Sequence, residues 1–153
     1  MTGRTLRGVT AVALVVLVAT LGGCAGTKEA ASQPTLYERL GGRHPIKLVV
    51  DDFVANLVAD PRVNARFKDM KPADVERFKT NAADQVCEAT GGPCSYLGKD
   101  MKTVHKGMNI TEAEWDATIE DLVKALDKHK VGAREKNELL GALGAMKKDI
   151  VGQ

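Results

Sequence analysis

From Thr35 onward the apolar residues of this 153-residue chain recur every three to four positions, and no stretch alternates as a strand would. That period gives each of several helices one apolar stripe, so the expected fold class is all-α. The first helix opens at Thr35-Leu36-Tyr37-Glu38, where threonine and glutamate stand at capping-box spacing, and Gly41-Gly42 ends it. Ile46, Val49, Val50, Phe53 and Leu57, with Val54 beside them, mark a long second helix that Asp60-Pro61 stops. Val63 to Phe67 fits one short helical turn. Pro72 suits the first position of the next helix, whose apolar face is Val75, Phe78, Ala82 and Val86 before the break at Gly91-Gly92-Pro93. Met101, Val104, His105 and Met108 share one face of a short helix. A second capping box, Thr111 to Glu114, opens a strongly amphipathic segment with Trp115, Thr118, Ile119, Leu122, Val123 and Leu126 on one side. Lys128 to Gly132 is a polar connection, and the last helix carries Leu139, Leu140, Leu143, Met146 and Ile150. Roughly 120 residues of helix can bury one core, and short connections favour antiparallel neighbours.

The residues before Thr35 follow different rules. Arg4 and Arg7 precede an apolar run from Val9 to Leu21, the pattern of a secretory signal, too short for a permanent span of ~20 residues. Leu21-Gly22-Gly23-Cys24 resembles the lipobox of bacterial lipoproteins. The expected organisation is a signal peptide over 1–23, an acylated Cys24 with a flexible tether over 24–34, and the folded domain over 35–153. That predicts export and lipid anchorage to a bacterial membrane outside the cytoplasm. The net charge of +2 belongs to Arg4 and Arg7, the only charges before Cys24; beyond them acids and bases balance. With aromatics at 4% and no basic tract, stacking platforms and phosphate-binding patches for nucleic acid are not expected.

Three histidines are candidates for chemistry. His44 precedes Pro45 at a helix start, and His129 lies between lysines and reads as exposed. His105 differs, because its face-mates are Met101, Val104 and Met108. An imidazole on an apolar stripe must find a partner or lose hydrogen bonding worth ~1–3 kcal/mol. A backbone carbonyl or a metal ion would each satisfy it. Cys87 and Cys94 flank the Gly91-Gly92-Pro93 turn; they fit either a disulfide, which an exported chain could keep, or two thiols packed as small hydrophobes.

Tyr37-Glu38-Arg39-Leu40-Gly41-Gly42, then Asp52-Phe53, Ala89-Thr90-Gly91-Gly92-Pro93, Tyr96, and Met101-Lys102-Thr103-Val104-His105-Lys106-Gly107 follow in this order. Together they resemble the group I truncated haemoglobins, over about residues 35 to 151. The resemblance implies a two-over-two helical sandwich holding haem, with His105 as the proximal ligand to iron and Phe53 and Phe67 packed on the macrocycle. It places Val54, Phe78 and Ala82 on the distal side and Tyr96, Met101, Val104 and Met108 around the cofactor. Without a Cys-x-x-Cys-His motif, the haem is expected to be of the non-covalent b type. Lys79 and Lys102 are candidate partners for its propionates.

The distal side departs from that pattern. Well-studied members carry a tyrosine directly after the phenylalanine of the second long helix, where this chain has Val54, and often a glutamine where it has Ala82. Neither replacement can donate a hydrogen bond. Asn81 and Gln85 are the nearby polar side chains, and Lys79 the one strong base. The expected function is reversible binding of oxygen, nitric oxide or carbon monoxide. An enzymatic alternative, nitric oxide dioxygenation or peroxide turnover, would need a separate reductase, since no dinucleotide fingerprint is present.

Overall fold

The computed structural model describes residues 33–153. The leader, Cys24 and the tether as far as residue 32 lie outside the described residues. Six α-helices follow in order: α1 Leu36–Arg39, α2 Arg43–Ala59, α3 Pro72–Ala89, α4 Met101–His105, α5 Glu112–Lys128 and α6 Ala133–Gly144. Short 3-10 turns occupy Asn64–Arg66 and Lys147–Asp149, and the described residues contain no β-strand beyond one parallel bridge between Ile110 and Val151.

The local signals explain where the helices begin. The Thr35 and Thr111 side chains each accept a hydrogen bond from the backbone N–H of the glutamate three residues on, and each glutamate carboxylate accepts one from the threonine backbone N–H. Both capping boxes thus satisfy amide groups that a helix start leaves unpaired. Pro72 stands at the first position of α3, where its missing N–H costs nothing.

Helix α2 is central: α3 and α5 both pack against it, and α6 packs on α5. The result is the two-over-two helical sandwich. Val49, Leu122, Ala125, Leu126 and Leu139 form one buried cluster; Ile46, Val50, Val54 and Ala83 form a second; Leu57, Val63 and Ala117 form a third. Phe53 packs against all three. At ~1.5–3 kcal/mol for each large side chain removed from water, these stripes supply the main drive to fold.

Two details differ from the sequence-based expectation. The last helix does not run to Ile150. It stops at Gly144 and tightens into the turn at Lys147–Asp149. Gly141 and Gly144 weaken its final turns, since each glycine costs a helix about 1 kcal/mol relative to alanine. The chain end is then pinned: the Asn109 amide donates to the Gln153 carbonyl at 2.6 Å and the Gly152 amide to the Ile110 carbonyl at 2.9 Å. His129, expected to be exposed, is half-buried with Nε2 2.7 Å from Asp52 Oδ2.

The alternative left open for the cysteines is resolved as a disulfide between Cys87 and Cys94, with Cα atoms 5.8 Å apart. Gly92 makes the turn between them possible. A Cβ there would stand 2.5 Å from the Tyr37 ring and 2.6 Å from Cys87 Sγ. Closing a loop of sequence separation 7 removes about 2–3 kcal/mol of chain entropy from the unfolded state. Reduction, or the pair Cys87→Ala and Cys94→Ala, should therefore lower the Tm by about 10 °C. A melting curve indifferent to reductant would mean that the sulfurs are not paired in solution.

Candidate functional site

Between the Phe53 face of α2, the start of α3, α4 and α5 lies a cavity of about 330 Å³. Phe53, Leu57, Val63, Phe67, Met70 and Phe78 form one wall. Val104, His105, Met108, Ile110 and Ile150 line the cavity from the α4 segment and the chain end, and Trp115 and Thr118 from α5. The lining is apolar apart from His105, Arg66, Glu114, Thr118 and the edge of Trp115. Phe67 and Phe78 pack with ring centres 5.9 Å apart and planes tilted by 37°, which makes the first wall aromatic.

Helix α4 exists to present His105. Asp100 caps it by accepting from the Thr103 amide at 2.9 Å, and hydrogen bonding from Thr103, its side chain first and its amide second, holds the Asp100 carboxyl below its ordinary range. One turn later the helix ends, and Gly107 takes the left-handed φ of +81° that turns the chain away. The His105 Nδ1 lies 2.8 Å from the Met101 carbonyl oxygen. A carbonyl can only accept, so Nδ1 carries the proton and Nε2 keeps a lone pair. Backbone bonding and ligation are thus not alternatives, as the sequence left them, but two ends of one ring. An imidazole so oriented is the usual arrangement for a metal ligand.

Six residues expected at the cofactor border the cavity: Phe53, Phe67, Phe78, Val104, His105 and Met108. Four do not. Val54 is 2% exposed and buried with Ile46, Val50 and Ala83, because one step along a helix rotates a side chain ~100° away from Phe53. Ala82 shares the Phe78 face but packs against that same cluster, and its methyl is too short to reach past it. Tyr96 turns back on its own loop and donates its hydroxyl to the Lys99 carbonyl at 2.8 Å. Met101 contributes its carbonyl rather than its side chain.

The polar candidates of the distal helix are also engaged elsewhere. Lys79 pairs with Glu76 at 3.0 Å and Asp51 at 3.5 Å. Gln85 donates to Met146 Sδ at 3.4 Å, and Asn81 does not border the cavity. The sequence reading missed Leu57, Trp115 and Thr118. Helical spacing carried the signal, since Leu57 lies four residues after Phe53 and Thr118 three after Trp115.

Arg66 was missed too. Its Nε and Nη2 donate to the two carboxylate oxygens of Glu114 at 2.8 and 3.0 Å, and its Nη1 to the Met108 carbonyl at 2.7 Å. The guanidinium, followed by the Thr111 amide, holds the Glu114 carboxyl at about 2, well under its ordinary 4.5. The stabilisation this pair contributes is fully present above pH 4.5 and fades as pH falls toward 2.

A second cavity, of about 280 Å³, is lined by Val49, Val86, Leu122, Leu126, Leu139 and His129 among others. Its histidine has Nε2 committed to Asp52, whose other oxygen accepts from Lys128 at 2.7 Å. Its Nε2 is thereby tied to the surface carboxylate rather than directed at a ligand. Among the described residues no group of three or more His, Cys, Asp and Glu side chains could hold a metal ion.

Known proteins are similar to this chain in sequence and fold. The family model for bacterial-like globins matches residues 35–151. A group 1 truncated haemoglobin of Tetrahymena pyriformis is 34% identical over 119 residues, 78% of this chain and 96% of that protein. The group 1 truncated haemoglobin GlbN of Mycolicibacterium paratuberculosis is 29% identical over 120 residues, 78% and 86% of the two chains. The crystal structure of the T. pyriformis protein in its Fe(III) form matches with a TM-score of 0.74 over 78% of this chain and 100% of that one. A 2/2 haemoglobin from Synechococcus, solved in the cyanomet state with covalently attached haem, is 28% identical with a TM-score of 0.70, covering 77% of this chain and 98% of that one. By the family match and the T. pyriformis relative, this chain belongs to the bacterial-like globins, among the truncated haemoglobins.

Proposed function

We propose that this protein binds a diatomic gas at a haem iron held by His105. The observation that carries the reading is one oriented imidazole, its Nδ1 tied to Met101, on the wall of an otherwise largely apolar cavity. The residues present fit haem. Phe53, Phe67 and Phe78 offer aromatic, apolar surface to a macrocycle, and Nε2 of His105 offers a neutral nitrogen to its iron. When bound, haem supplies an iron with one coordination position left for oxygen, nitric oxide or carbon monoxide. The chain's own part is to hold the ring by apolar contact, orient the imidazole and keep water from the cavity. Nothing in the sequence supplies a reductase, so gas binding is favoured over turnover. Adding haem to the domain over residues 26–153 should produce a Soret band that shifts with carbon monoxide. A flat absorbance trace in that region would sink the reading.

The address is part of the same proposal. Arg4, Arg7, the Val9 to Leu21 run and Cys24 support export and acylation. The Cys87–Cys94 disulfide supports an oxidising compartment. Among the described residues no helix is long and apolar enough to cross a membrane. A tether over residues 24–34 would reach at most ~40 Å. Cys24→Ala should move most of the protein from the membrane pellet to the soluble fraction. An unchanged pellet would rule out acylation at Cys24.

A further inference from the structure

We propose that Arg66 is a positioning residue that clamps the two walls of the cavity together and thereby sets where His105 stands. The inference rests on the haem reading above. Arg66 ends the short turn that leads directly into Phe67, on the aromatic wall. Its guanidinium crosses to the other wall. There it takes the Glu114 carboxylate through two parallel hydrogen bonds and the Met108 carbonyl through a third. Such forked charge-assisted pairs fix direction as well as distance. Met108 is three residues from His105, and its amide donates to the His105 carbonyl at 2.9 Å. A single side chain thus connects the Phe67 turn, the first turn of α5 and the loop behind the imidazole.

The rest of that loop has few other restraints. Helix α4 has only five residues, Gly107 follows with a left-handed backbone, and Asn109 is also left-handed at φ +48°. Beyond it the Asn109 and Ile110 backbones bond to the C-terminal residues, and α4 packs on the Lys147–Asp149 turn. Removing Arg66 leaves His105 with its Met101 bond but frees the segment that follows it. The imidazole can then tilt relative to the aromatic wall.

The test uses the haem-loaded protein. In Arg66→Met, haem transfer to excess apomyoglobin should be about 10–100-fold faster, the scale on which groups that orient a metal ligand act. The iron–histidine stretching band of the ferrous protein should shift or broaden, while far-UV circular dichroism stays as in the parent. Glu114→Gln should cause the same changes to a smaller degree, because the bond to Met108 survives. Should Arg66→Met not fold, Glu114→Gln decides alone, and a transfer rate and stretching band equal to the parent's would overturn the clamp. A second arm uses haem with both propionates esterified. The clamp acts within the protein, so the Arg66→Met effect must persist there. If it vanishes, Arg66 binds a haem carboxylate and the proposal is wrong. If the parent chain takes up no haem at all, the functional reading fails rather than the clamp.

Discussion

Replacing His105 with alanine is expected to leave the protein folded but unable to hold haem. The imidazole is the one side chain of the cavity with a nitrogen lone pair free of protein partners, and Met101 holds it in the tautomer that ligation requires. Apolar contact with Phe53, Phe67 and Phe78 would remain, so haem would associate only loosely with the variant, because the bond to iron would be gone. Loss of a group that merely orients a metal ligand costs about 10–100-fold in affinity, and loss of the ligand itself must exceed that. The fold should survive, because His105 is half-buried at the end of a five-residue helix and belongs to none of the three core clusters. Titration of haem into His105→Ala, followed in the Soret region, measures the first effect and far-UV circular dichroism the second. His129→Ala is the control: its Nε2 faces Asp52 on another cavity, and haem uptake should match the parent. A Soret band unaltered by His105→Ala would refute the assignment.

Oxygen should leave the ferrous, haem-loaded protein quickly. A hydrogen bond to a ligand that has drawn charge contributes about 1–3 kcal/mol, which corresponds to roughly 5–150-fold in dissociation rate. The aromatic wall of this cavity offers no such donor, since Phe53, Leu57, Val63, Phe67, Met70 and Phe78 have no polar hydrogen to give. Lys79 and Gln85 are committed elsewhere. The remaining donors are Arg66, whose guanidinium is engaged by Glu114 and the Met108 carbonyl, and two residues of α5. Thr118 directs its hydroxyl to the Glu114 carbonyl at 2.8 Å, which leaves the Trp115 indole. Stopped-flow displacement of oxygen should therefore give a rate that Thr118→Val and Trp115→Phe change by less than about 3-fold, or about 0.7 kcal/mol. A slow rate in the parent that accelerates in Trp115→Phe would identify the indole as the donor and overturn the expectation. Val54→Tyr would be a poor way to restore a hydrogen bond, because that side chain lies in the core rather than on the wall and an added ring would overpack it.

Sequence carried the helices and the imidazole for physical reasons. Capping boxes, proline at a helix start and glycine at its end act within four or five residues, so Thr35, Pro72, Thr111 and Gly41-Gly42 could be read directly. His105 stood out because its neighbours at helical spacing are apolar. What faces it was only partly legible. Which side of α2 points at the cavity is settled by how α3 and α5 pack against it, and that turned Phe53 inward and Val54 away. Arg66 was invisible because its partners lie 42 and 48 residues further on, and nothing local distinguishes a bridging arginine from a solvated one. Ile150 reached the cavity only because the last helix broke at Gly144 and the chain end bridged to Ile110.

The Cys87–Cys94 bond also bears on when this domain becomes sturdy. Thiols stay reduced in a cytosol, so a newly made chain on the proposed route would lack the cross-link that joins the end of α3 to the turn beyond it. It would travel as the looser of two forms, easier to thread through a translocation pore. Its final few kilocalories of stability would arrive only at the destination, with oxidation acting as a lock that closes behind the protein once delivery is complete.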